Sequence, residues 1–97
     1  MTTPEGKVKE KVKRLLKKLQ VYYHMPVMNG MGSPTLDFIC CGAGYYIAIE
    51  TKAPGQKPTP RQEQTMSDIR KAGGFVFVVA TDKDLDYLEA FLVVLLP

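Results

Sequence analysis

Between Val8 and Leu19 the apolar residues Val8, Val12, Leu15, Leu16 and Leu19 recur at helical spacing, with lysines filling the other face. That is the pattern of a helix with one buried stripe. Thr3-Pro4-Glu5 suits its start: a hydroxyl N-cap, proline at the first helical position and an acid near the positive end of the dipole. An amphipathic helix is therefore predicted over 4–20. Beyond it the period shortens. "VYYHMPV" at 21–27 reads as a short strand broken by Pro26, and the glycine-rich "NGMGSP" at 29–34 as a loop. "TLDFICC" at 35–41 reads as a second strand, "GAG" as a tight turn and "YYIAIETK" as a third strand. Connections this short imply antiparallel neighbours.

After the proline-rich "APGQKPTP", Thr59-Pro60-Arg61-Gln62 repeats the helix-start chemistry, with Gln62 at the third helical position, as in a capping box. Met66 and Ile69 supply an apolar stripe, and Ala72-Gly73-Gly74 ends the helix. "FVFVVA" at 75–80 is almost uninterruptedly apolar, the pattern of a strand covered on both faces. A closing helix is predicted from Thr81 or Asp82, carrying Leu85, Leu88, Phe91 and Leu92. The order is αβββαβα. The terminal "FLVVLL" is more apolar than one helix face needs, so it either packs inside or forms a subunit interface.

A chain of 97 residues fits one domain, 1–97. With 45% hydrophobic and 24% charged residues it should fold rather than stay disordered. The net charge is +3, but Lys7, Lys9, Lys11, Lys13, Arg14, Lys17 and Lys18 crowd the first helix, so a polyanionic partner is allowed. Cys40 and Cys41 are adjacent, point to opposite faces of a strand and are poorly placed to pair. No Cys-x-x-Cys pair or Cys/His cluster suggests structural zinc. The start lacks an apolar core of signal-peptide length, and the longest apolar run, 90–96, is too short to cross a bilayer. An intracellular location with no membrane partner is expected.

The chemistry concentrates in "IETK" at 49–52. Strand side chains alternate, so Glu50 and Lys52 share one face while Ile47, Ile49 and the Thr51 side chain share the other. A hairpin turned at Gly42–Gly44 brings Asp37 towards Glu50. Two neighbouring carboxylates disfavour each other's ionisation, and a divalent cation resolves the conflict. Mg²⁺, or Mn²⁺ in its place, is the hard, oxygen-seeking choice, with the Thr51 carbonyl available as a further oxygen. Lys52 beside it is suited to orient or deprotonate water, or to stabilise charge on a phosphorane-like transition state. The reaction expected is phosphodiester hydrolysis.

Asp37, then Glu50-Thr51-Lys52, then Gln62 opening a helix and a following "GGFVFVV" strand resemble the PD-(D/E)xK nuclease fold, and within it the virus-type replication-repair nuclease (VRR-NUC) group, stand-alone phage or viral type. The likeness covers residues 5–80. It implies an α+β fold of restriction-endonuclease type: an αβββαβ core with a mixed central sheet flanked by helices, here followed by a C-terminal helix. It further implies a metal held by Asp37, Glu50 and the Thr51 carbonyl, Lys52 and Gln62 as catalytic residues beside them, and Glu5 reaching the metal through water, Glu10 being a weaker match. Leu36 stands where the group has proline before the aspartate.

The function this implies is a metal-dependent DNA endonuclease of DNA repair, working in a bacterial cytoplasm or a virus-infected cell. Stand-alone members of the group work as dimers. A two-fold dimer with two metal sites suits the cutting of branched or four-way junction DNA. Lys57 and Arg61, just after the catalytic strand, and Lys7 and Lys11 on the basic helix are the candidate phosphate contacts. Blander readings stand beside these. Glu50 and Lys52 would form an exposed ion pair, Gln62 would serve the helix cap alone, Glu5 would complement the dipole, the lysines would face solvent, and the tyrosines would be core and sheet-surface residues. The alternative function is a non-catalytic nucleic-acid-binding module on a nuclease-like fold.

Overall fold

The computed structural model describes residues 3–27 and 34–97, so most of the "NGMGSP" loop lies outside the described residues. Helix α1 (Pro4–Lys18) is followed by β1 (Tyr22–His24), β2 (Phe38–Gly42), β3 (Tyr45–Thr51), α2 (Pro60–Lys71), β4 (Phe75–Val79) and α3 (Asp82–Leu95). The strands form one sheet in the order β1-β2-β3-β4. The first three run antiparallel, and β4 lies parallel to β3, reached through the α2 crossover that a parallel neighbour requires. No helix is long and apolar enough to cross a membrane among the described residues.

Each helix starts on the chemistry its sequence advertises. Thr3 Oγ1 accepts from the Gly6 N–H at 3.0 Å; Thr59 and Gln62, and likewise Thr81 and Asp84, complete reciprocal capping boxes. Helix α1 stops where Gln20 turns to φ 57°, letting the Val21 N–H reach the Leu16 carbonyl at 2.9 Å. Helix α2 stops in the same way at Gly73, φ 96°, with the Gly74 N–H on the Ile69 carbonyl at 2.9 Å. The β2–β3 hairpin turns on Ala43 (φ 53°) and Gly44 (φ 84°), both left-handed as a two-residue primed turn demands.

One face of the sheet presents Phe38, Cys40, Ile47, Ile49 and Val79 to α1 and α3, whose Val12, Leu16, Leu88 and Leu92 are fully buried. The other face carries a smaller cluster in which α2's Met66 covers Leu36 and Ala48. Burial in the first cluster pushes the Cys40 thiol up to about 12, so it stays an inert packing residue, while Cys41 is exposed. Strand β4 is covered on both faces as expected, Phe75 and Phe77 against the α1–α3 cluster and Val76 and Val78 against the α2 cluster, but only in part. It is the edge of the sheet, and Phe75 to Val78 are only half-buried. An uninterrupted apolar run marks a strand between two helical layers, but it does not say how much of each layer lies over it.

Candidate active site

The site forms where β2 begins and β3 ends. Phe38 is paired with Ile49, so Asp37, one residue before the strand, comes opposite Glu50. The hairpin turn and the antiparallel register alone bring the two acids together. Glu50 shares its row with β4's Val78 and is only 3% exposed, an unusual depth for a carboxylate without a full partner. Burial first, then the Asp37 charge, push its carboxyl up to about 7; Lys52 and the Asp37 backbone N–H work in the other direction.

Four neighbours hold the two acids in place. Gln62 Nε2 donates to Glu50 Oε2 at 3.0 Å, and Lys52 Nζ stands 3.6 Å from the same oxygen. The Thr51 backbone N–H and hydroxyl both donate to Asp37 Oδ2, at 2.9 and 2.7 Å. Lys9 Nζ lies 3.8 Å from Asp37 Oδ1 and 3.6 Å from Glu5 Oε2, tying the first turns of α1 to the site. Gln62 serves both roles weighed for it: its Oε1 accepts from the Thr59 N–H at 3.0 Å while its amide donates to Glu50. The helix cap thus aims the glutamine at the carboxylate.

Asp37, Glu50, Arg61 and Gln62 line one open cleft of about 400 Å³, with Pro26 and Leu36 on its walls. Thr51 spends its side chain on Asp37. Glu5 reaches the site only through Lys9 and a weak charge effect on Glu50. Lys57 is exposed in the loop before α2. Lys7 and Lys11 line a different cavity, between α1 and α3. Lys9 was not foreseen as a site residue. The only signal was its place four residues after Glu5, one helical turn along the same face.

Among the described residues no three His, Cys, Asp or Glu side chains gather into a metal cage. What is present is a carboxylate pair, Glu50 buried and resisting ionisation and Asp37 half-buried, beside a cleft wide enough for water. That donor set fits a hard divalent cation that keeps part of its water shell and does not fit zinc.

A four-stranded mixed sheet with α1 and α3 on one face, α2 on the other and acids at the end of β3 defines a nuclease-type α+β fold. Among solved structures, one described as "VRR_NUC domain" matches with a TM-score of 0.78 and 29% identity, covering 90% of this chain and 95% of that one. The chain has the VRR-NUC fold. No family model and no curated protein sequence matches it.

Proposed function

We propose that the protein is a metal-dependent DNA endonuclease. The observation that carries the reading is the Asp37–Glu50 pair, drawn from two adjoining strands, with Glu50 buried and its pKa raised until something positive relieves it. Similarity to the solved VRR_NUC domain supports the same class. Asp37, Glu50 and the Thr51 carbonyl would hold Mg²⁺ or Mn²⁺. The ion, when bound, supplies positive charge against the charge that builds on the phosphate.

The remaining work falls to the chain's own groups. Gln62 fixes the Glu50 carboxylate in one orientation from a capped helix start. Lys52, on the same face and 87% shielded from solvent, places an amine next to the attacking water, where it orients the water or takes its proton. Lys9 and Thr51 hold Asp37. Arg61, in the cleft wall, and Lys57 beyond it offer contacts to the flanking phosphates. The protein is proposed to act as a homodimer on branched or four-way DNA, two sites cutting two strands.

Purified protein with Mg²⁺ or Mn²⁺ is expected to nick DNA, with a preference visible across linear, flap and four-way substrates. Lys52→Ala should abolish nicking while circular dichroism stays unchanged. Persistent cutting by that variant would defeat the assignment. A second reading, a binding module without catalysis, is favoured by one observation: Asp37 already has three donors around it and needs no cation to be satisfied. Calorimetry separates the two. Mg²⁺ uptake that Asp37→Asn removes supports the nuclease, and salt-sensitive DNA binding without metal uptake supports the module.

A further inference from the structure

A second cavity, of about 360 Å³, opens between the first turns of α1 and the start of α3. Its walls are apolar and come from separate parts of the chain: Pro4 and Val8 on α1, Pro54 in the loop after β3, Val79 at the end of β4 and Leu85 on α3. Lys7 and Lys11 line it from α1. Lys7 has no ion-pair partner among the described residues, and Lys11 is paired with Asp82 at 2.7 Å. Both partners of that pair are largely in solvent, so it is worth little and can be exchanged for a phosphate. Asp82, the one carboxylate lining the cavity, is 77% exposed, so its charge is screened by solvent once Lys11 turns to the phosphate. On the same helix the exposed Arg14 joins Lys7 and Lys11 along a shallow groove whose one carboxylate, Glu10, is paired with Lys13 at 3.4 Å, so the groove stays net positive away from the cavity.

The cavity is tied to the catalytic strand by backbone. The Lys52 N–H donates to the Val79 carbonyl at 3.0 Å, and Pro54 follows Lys52 by two residues, a reach of about 7 Å. The carboxylate cleft lies on the α2 side of the sheet and the cavity on the α1–α3 side, so a strand of nucleic acid with one phosphate at the Asp37–Glu50 pair would pass round the end of β3 to place a neighbouring nucleotide in the cavity. We propose that this cavity is a nucleotide subsite: it takes one unstacked base of a single-stranded stretch of the substrate, with the adjoining phosphate on Lys7 and Lys11. Apolar walls with lysines at the edge match a flat base attached to an anion. The walls offer no array of hydrogen-bonding side chains, so the subsite accepts any base. It selects strands that are already unpaired, because a base in duplex would first have to leave its stack. The subsite rests on the nucleic-acid reading above and supplies a source for preference towards flaps and junctions.

The test compares metal-free binding of a single-stranded oligothymidylate with that of an abasic oligomer of the same length, which keeps every phosphate and loses the bases. Wild type is expected to prefer the first by roughly tenfold, the worth of one accommodated base. Ala80→Leu, which fills the cavity, should remove the preference and leave abasic binding unchanged. Lys7→Ala should weaken both ligands alike. Tyr46→Ala, on the other side of the sheet, should keep the preference. Thymidine 5′-monophosphate added to wild type should shift the methyl resonances of Val8 and Leu85, a readout that needs no variant to fold.

Equal binding of the two oligomers by wild type, a preference that survives in folded Ala80→Leu, or unmoved Val8 and Leu85 methyls would overturn the subsite. DNA nicking is measured in parallel. Nicking without base preference sinks the subsite alone, and base preference without nicking sustains the subsite and sinks the nuclease.

Discussion

At the scale of single residues, Glu50 sets the terms. Its carboxyl ionises at the ordinary 4.5 in the unfolded chain and at about 7 in the fold, so between those values the native state holds the extra proton. The stabilisation from this group is fully present below pH 4.5 and is lost as the pH rises through 7. Metal-free protein is expected to melt lower at pH 8 than at pH 5, by a difference on the order of 2 kcal/mol, and Glu50→Gln should flatten that part of the profile in a thermal scan. Saturating Mg²⁺ should raise the melting temperature most at the alkaline end, since it favours the ionised pair. Gln62 separates into its two roles by comparison with Thr59. Thr59→Ala removes one cap bond and should cost about 1 kcal/mol of stability with little loss of Mg²⁺ affinity. Gln62→Ala should cost stability and in addition lower nicking, because Glu50 loses its 3.0 Å partner; chemical denaturation and a nicking assay on both variants check this.

Elements are held by their ends as much as by their faces. Among the described residues two non-glycines are left-handed, Gln20 closing α1 and Ala43 in the hairpin, and they carry a backbone cost that glycine avoids. Gln20→Gly and Ala43→Gly are each expected to raise stability by up to about 1 kcal/mol, part of the gain being offset by the freer unfolded chain. Gly74 behaves oppositely. A Cβ there would sit 2.7 Å from Ile69 Cγ2 and 3.2 Å from the Tyr46 ring, so Gly74→Ala should destabilise through the α2–β4 packing, as urea unfolding would read. Much of this was legible beforehand. Threonine-proline openings, the Gln62 capping box and the glycine stop of α2 follow from local chemistry that needs no neighbours. The Gln20 stop was not legible, because glutamine carries no preference for the conformation it adopts there.

At the scale of the whole molecule, the edge position of β4 and the outer side of α3 stand out. Phe75 and Phe77 pack on Phe91 at centroid distances of 4.9 and 4.8 Å, yet β4 stays half-exposed, and Tyr87, Val93 and Val94 lie open on α3. The closing "FLVVLL" is thus divided: Leu92 is buried in the core and Leu95 and Leu96 pack against it, while Val93 and Val94 face outward. Under the proposed dimer this surface meets a second copy. Sedimentation should give a dimer for wild type and a monomer for Val94→Glu, with the fold retained since Val94 is 87% exposed. A wild-type monomer at working concentrations would leave paired cutting of junction strands without a basis.

The sequence alone determined the order of elements, their caps and the strand alternation that puts Glu50 and Lys52 on one face, because these depend on neighbours within a turn or a pleat. It also placed Asp37 near Glu50, since a short hairpin leaves few registers. Only the tertiary structure decided that Lys9 leans across from α1 to Asp37, that Gln62 spans from its own cap to Glu50, and that β4 ends the sheet. Those outcomes depend on how helices settle over a sheet, and settling is governed by packing between residues far apart in the chain, which no local period encodes.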